Sequence, residues 1–384
     1  MINPINYFKS NKQFLYGTAV LIGTMVGVGI FGIPLAFAKS GFLVGFVFLI
    51  IIALVTLLID LVYGEIILRT EEKHQLVGYT EYYLGPIAKR IIFFTITLSI
   101  YAALLAYMII AGDFLHNILS SFFYVPATNY SFLFYILVSF LIFFGIKRFT
   151  WLELSLIVLF LIAVLTIFFV GVEKIDMSNY YSLNAGYWFL PYGVLMFAFA
   201  GMSGISIQRQ VLKGKENKFK KSIFLAIIFT AVLYLIFAFT VVGISGESTL
   251  PDSISGLYDI LGSKIVIIGS LFGILAVLSS YLMLGSALME TFSYDYKSSK
   301  IVSWLFVVIP PLILFLTGSR NFIDIISLAG SVAIGIEAIT VILIYSRSKK
   351  HGDRIPEYSL NISKWWLYIL MVMFLGGVIY ALIS

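Results

Sequence analysis

The residues best placed to do chemistry are stretches of backbone rather than side-chain nucleophiles or metal ligands. Thr24-Met25-Val26-Gly27-Val28-Gly29-Ile30-Phe31-Gly32-Ile33-Pro34 puts three glycines and a proline inside the first long apolar segment. Glycine and proline both weaken a helix, and here they do so where a membrane span most needs one. Unpaired backbone amides and carbonyls are costly in hydrocarbon, so irregular backbone persists only inside protein or beside a watery cavity. A second such stretch, Phe197-Ala198-Phe199-Ala200-Gly201-Met202-Ser203-Gly204-Ile205-Ser206, lies in a later apolar segment. A break of this kind exposes N–H groups at one helix end and C=O groups at the other. Its chemistry is the binding of a small molecule that carries both charges.

Other chemistries find little support. The chain has no cysteine, which removes thiol catalysis, disulfides and Cys-based metal sites. Its three histidines, His74, His116 and His351, stand at or beyond helix ends, and no H-E-x-x-H pattern occurs. No T-V-G-Y-G filter or acidic ring points to an ion channel. The protein is expected not to be an enzyme and to need no cofactor beyond a coupling ion. A sensor that binds a small molecule without moving it stays open as a reading of another class.

Membrane helices must position the two breaks. Of 384 residues 61% are hydrophobic and 11% charged, with a mean hydropathy of +1.03. Soluble domains carry about 25% charged residues. Runs long enough to cross about 30 Å of hydrocarbon are expected at 14–38, 42–68, 90–119, 131–147, 151–172, 187–211, 221–246, 264–290, 301–317, 322–346 and 364–383, eleven transmembrane helices in all. No cleavable signal peptide is expected. Segment 79–84 reads as a short surface helix and 246–263 as a loop able to hold a helical lid.

Charge orients the spans. With the N-terminus cytoplasmic, only Lys39, Lys174, Lys264 and Arg320 fall outside; every other Lys and Arg falls inside, Lys147 and Arg148 among them. That asymmetry follows the positive-inside rule. It accounts for the pI of 9.1 without nucleic acid. The expected localisation is the cell membrane, multi-pass, with the C-terminus outside and the lipid bilayer as surroundings; no obligatory protein partner is evident. The chain 1–384 reads as one transporter domain: a first five-span repeat over 14–172, a second over 187–346, and an extra helix over 364–383. Spans 1 and 6 open the two repeats and run in opposite directions, because five is odd. Interrupted segments at matching places in inverted halves point to a transporter's binding site.

Gly27-Val28-Gly29-Ile30-Phe31-Gly32-Ile33-Pro34 resembles the first-span G-x-G-I-x-G-x-P motif of the amino acid/auxin permease family, within the amino acid–polyamine–organocation superfamily. Tyr107-Met108-Ile109-Ile110-Ala111-Gly112-Asp113-Phe114-Leu115 is similar to the family's third-span ending, and Phe197 to Ser203 to its sixth-span F-A-F-G-G-x-S. Where that family often continues with Pro-Glu, Ser206-Ile207 stand here. The resemblance implies an all-α membrane protein of leucine-transporter fold, with spans 1 and 6 discontinuous. It implies a secondary active transporter that imports an amino acid by alternating access.

The resemblance also implies a site. A substrate carboxylate would meet the amides of Gly27, Val28, Gly29 and Ile30. The ammonium would meet carbonyls near Phe197, Ala198, Ala200 and Met25, with Phe197 or Phe199 as an aromatic gate. Third-span candidates for the pocket are Tyr101, Leu105 and Met108. No charged residue sits mid-span in spans 1, 3, 6 or 8, so a neutral L-amino acid is expected. Valine at position 27 or 29 is expected to abolish binding and leave folding largely intact. For the coupling ion, the resemblance implies Na⁺ between spans 1 and 8, held by Gly23, Val26, Ala276, Ser279 and Ser280. Proton symport and amino acid exchange are the alternatives. Among the intramembrane acids Glu337 is the leading proton carrier; Asp60, Glu65 and Glu290 read as end-of-helix groups, and Asp113 lies near the outer end of span 3.

Overall fold

The computed structural model describes residues 4–123, 125–144, 150–294 and 297–383. Lys147 and Arg148, used above for orientation, lie outside the described residues. The helices are α1 Pro4–Met25, α2 Gly29–Ser40, α3 Phe42–Arg69, α4 Leu76–Leu84, α5 Pro86–Leu119, α6 Ala127–Phe144, α7 Thr150–Gly171, α8 Leu190–Ala198, α9 Met202–Val211, α10 Phe219–Ser245, α11 Tyr258–Leu261, α12 Ser263–Tyr294, α13 Lys300–Leu316, α14 Phe322–Leu328, α15 Gly335–His351 and α16 Lys364–Ile383. A π segment, Ala329–Ile334, joins α14 to α15.

Among the described residues eight helical stretches are long and apolar enough to cross a membrane, and α1 with α2 makes a ninth, bent by 55°. Helix α13 is apolar but only 17 residues long. The chain is a polytopic membrane protein. Large apolar side chains such as Leu43, Leu54, Trp365 and Val372 remain on the outer surface, where a bilayer covers them.

Both broken helices sit at the centre. The first half, α1, packs on α7, α9 and α10; the second, α2, packs on α8 and α10. Small residues allow close approach nearby: a Cβ on Gly330, in the π segment, would fall 1.9 Å from the Gly193 carbonyl of α8. The expected surface helix is α4, with Tyr79 and Tyr83 buried and Tyr82 exposed. The expected lid is a run of short turns leading into α11.

An ionic cluster ties the end of α3 to the segment between α15 and α16. The Glu65 carboxylate is fully buried and meets Arg69 Nε at 2.7 Å and Lys349 Nζ at 3.0 Å. It also accepts from the Leu360 amide at 2.6 Å and the Ser359 hydroxyl at 3.2 Å. Breaking such a buried group of charges is strongly destabilising. Glu65 therefore staples two segments together, a larger role than the end-of-helix one its place in the sequence suggests.

Candidate functional site

Between α1 and α2 the backbone turns through Val26, Gly27 and Val28. The Gly27 amide donates back to the Met25 carbonyl at 2.8 Å, a tight turn that spends this donor locally. The amides of Val28, Gly29 and Ile30 take no backbone acceptor among the described residues. Of the four expected carboxylate donors, three stay open at the start of α2, where the helix dipole favours an anion.

The second break runs from Phe199 to Gly201, between α8 and α9. Among the described residues no backbone amide donates to the carbonyls of Ala198, Phe199 or Ala200. The Phe197 carbonyl accepts from the Ala200 amide at 3.1 Å, so one of the expected ammonium acceptors is already engaged. The two breaks touch: a Cβ on Gly29 would lie 2.7 Å from Ala198 Cα. Only glycine fits there. Gly27 differs, because its Cβ would meet only the Ser280 and Tyr107 hydroxyls, at 3.4 and 3.6 Å. A valine at position 29 thus collides with backbone and disturbs the fold, whereas one at position 27 enters space beside two hydroxyls.

Tyr234, on α10, is the residue that sequence reasoning missed. It is fully buried, and its hydroxyl lies 2.7 Å from both the Met25 and the Ala198 carbonyls. A phenol has one proton to donate, so the two carbonyls share it. The Met25 carbonyl then faces two donors, the Gly27 amide and Tyr234, and is engaged before any ammonium arrives. The Phe199 ring packs edge-on against Tyr234, with centroids 5.1 Å apart. No sequence motif marks a tyrosine so far along the chain as a partner of both breaks.

The breaks open on one cavity of about 440 Å³, within the usual range for a small-molecule site. Met25, Gly27, Val28, Gly29, Phe197, Phe199 and Ala200 line it; Ile30 and Ala198 do not. Phe197 is half-buried and Phe199 fully buried, so Phe197 is the ring free to cover a ligand. From α5 the cavity takes Ile96, Ile100, Ala103 and Tyr107. Tyr101, Leu105 and Met108 do not line it: Tyr101 donates to the Phe306 carbonyl at 2.7 Å, and Leu105 and Met108 are buried elsewhere. Successive residues of a helix point about 100° apart, so one or two positions decide between the cavity and a neighbouring helix.

The ion set read from the sequence is not gathered on this cavity. Ser280 lines it, beside the Gly27 turn; Gly23, Val26, Ala276 and Ser279 do not. The acids are distributed otherwise than expected. Asp60, Glu337 and Glu290 all reach the cavity, and no Lys, Arg or His lines it among the described residues. Asp60 is 1% exposed, and neither carboxyl oxygen has a hydrogen-bond partner. It is a cavity group and not the end-of-helix group its sequence position suggested. Tyr63, one turn on, faces the Ser206 hydroxyl at 3.2 Å.

The cavity reaches exposed Gln75, Ser203 and Glu290 at one face of the protein. Toward the other face it is sealed. Phe31 lies edge-on to Phe114, Phe160 and Phe237, at 4.8, 6.0 and 6.0 Å. The Ser253 hydroxyl of the lid donates to the Phe31 carbonyl, three residues beyond the first break. Asp252 holds the lid by accepting from Ser255, and Asn117 of α5 donates to Ser255 at 2.8 Å. Burial pushes the Asp252 carboxyl up, against the hydrogen bonds from Ser255 and Asn117 that pull it down.

Two interrupted helices that meet on a cavity open at one face and sealed at the other define a class, the membrane carriers. The particular family is shown by comparison: residues 10–383 match the model of the tryptophan/tyrosine permease family, and the chain belongs to it. It is a transporter family of the amino acid–polyamine–organocation type, so the broader resemblance holds, while the family shown is this one and not the amino acid/auxin permeases that the motifs suggested. Glutamine transporter 2 of Aliivibrio fischeri is 23% identical over 359 residues, 89% of this chain and 92% of that one. Tyrosine-specific transport system 1 of Haemophilus influenzae is 23% identical over 386 residues, 94% of each. A crystal structure of MhsT in complex with L-phenylalanine superposes with a TM-score of 0.66 at 16% identity, covering 96% of this chain and 98% of that one. That likeness shows a shared fold.

Proposed function

We propose that this permease imports a neutral L-amino acid with an aromatic side chain, by alternating access. The observation that carries the reading is the meeting of two unpaired amides, at Val28 and Gly29, with the unpaired carbonyls of Phe199 and Ala200 around one cavity. Donors suit a carboxylate and acceptors an ammonium. Phe197, Tyr107, Met196 and Met283 line the remainder and suit an aromatic ring. One relative is named for tyrosine, and MhsT is in complex with L-phenylalanine. The likeness to MhsT supports a leucine-transporter fold with two inverted five-helix repeats, in which α7 and α13 also cross the bilayer for eleven spans. The distribution of Lys and Arg supports a cytoplasmic N-terminus, an outer C-terminus, and a cavity open to the cytoplasm.

Transport against a gradient needs a coupled ion. Na⁺ between Gly23, Val26, Ala276, Ser279 and Ser280 is one reading. The cavity favours a second, the proton, because among the described residues three acids and no bases line it. A thermal-shift screen of the amino acids with and without Na⁺ tests the substrate. Aromatic amino acids should stabilise the protein most; stabilisation by glutamine alone, or by none, overturns the substrate reading. Uptake into liposomes tests the coupling: Na⁺-dependent accumulation supports the first ion, and accumulation driven by a pH gradient in K⁺ medium the second.

A further inference from the structure

We propose that Asp60 is the proton-carrying group of the transport cycle. The inference rests on the proton reading of the coupling and gives it a residue. Asp60 stands on α3 in the wall of the cavity, 1% exposed, with both carboxyl oxygens unpartnered. Protein carboxylates that stay ionised in such surroundings are paired or hydrogen-bonded. A lone one calls for a positive charge from outside the chain.

The groups facing it supply none. On its own helix the next turn brings Tyr63, whose hydroxyl faces Ser206. From α15 comes Glu337, a second acid on the same cavity. From the segment between α15 and α16 comes Tyr358, committed to the Leu61 carbonyl at 2.6 Å. On α9 the one cation is Arg209, committed to the Thr70 carbonyl at 3.0 Å. Helix α8 has no charged residue, α2 has only Lys39 in its last turn, and α10 only Lys220 and Lys221, both exposed at its start.

A proton fits this place better than a metal ion. Hard cations need several oxygens around them, whereas Asp60 has no hydroxyl within hydrogen-bond reach. A proton needs one oxygen. With the cavity open to one side, an O–H bond forms on Asp60; with it open to the other, the same bond breaks and the proton leaves to water. Nothing is oxidised or reduced. Because α3 packs against both halves of the second broken span, α8 and α9, and against α15, the charge on Asp60 is sensed where the breaks rearrange.

The test uses the purified full chain in liposomes with labelled L-tyrosine as probe. In wild type, a gradient about one pH unit more acid outside should drive about tenfold accumulation if one proton accompanies each substrate. Asp60→Asn should lose the pH-driven accumulation entirely, with its melting curve read beside wild type to show that the variant is folded. Asp60 makes no hydrogen bond, so the asparagine variant breaks none. If it nevertheless fails to fold, Asp60→Glu carries the test: a displaced pH profile of uptake supports the proposal, and an unchanged profile overturns it. Full pH-driven accumulation by Asp60→Asn overturns the proposal and leaves proton coupling standing. Wild-type accumulation that follows Na⁺ and ignores pH overturns both the proposal and the proton reading.

Discussion

Asp60 and Glu65 stand five residues apart on α3, and both carboxyls are buried. Glu65 is surrounded by Arg69, Lys349, Ser359 and the Leu360 amide. Asp60 has none of these and looks into the cavity. One helix thus carries a carboxylate whose charge is matched by the fold and another whose charge is left open. The difference teaches how to separate architecture from function in a membrane helix. A satisfied buried acid holds segments together; an unsatisfied one beside a cavity awaits a ligand.

Substitutions should pull this pair apart. Glu65→Gln removes the negative partner of two basic groups and should cost about 3–5 kcal/mol of stability. A thermal melt in detergent reads the loss, and an unchanged melt would break the contrast with Asp60. Gly29→Ala forces a methyl against the Ala198 backbone and should cost about 1–3 kcal/mol by overpacking, whereas Gly27→Ala should fold normally and weaken L-tyrosine binding. Equal destabilisation by both would remove the distinction between the glycine that packs and the glycine that faces the cavity. Tyr234→Phe leaves two carbonyls without their shared donor, for about 1–3 kcal/mol. Its loss should loosen the junction of the two breaks and raise the KM for L-tyrosine uptake. Asp60→Asn, by contrast, breaks no hydrogen bond and should leave the melt close to that of wild type. Smallest of all, Tyr101→Phe should leave L-tyrosine affinity in a binding titration unchanged, since Tyr101 turns to Phe306 and away from the cavity.

Much of the architecture was legible in the chain. The helix ending at Met25 and restarting at Gly29, and the break after Ala198, fall where the glycines cluster. The amides of Val28 to Ile30 are open because a helix start leaves donors unpaired. The face of α5 was not legible. Ile100, Ala103 and Tyr107 line the cavity where Tyr101, Leu105 and Met108 were expected, and both sets repeat every three or four residues. In a helix buried by protein on most sides, apolar periodicity does not single out the inward face.

By itself the sequence determined that the chain is a bundle of membrane helices with two weak points, because hydropathy and helix propensity are local properties read residue by residue. Tertiary structure alone decided that Tyr234 joins the two weak points, that Gly29 cannot carry a side chain, and that Asp60 faces a cavity while Glu65 faces cations. Each of these depends on what a residue meets across the bundle. A carboxyl on a helix reads the same in the sequence whether the neighbouring helix brings it a lysine or empty space.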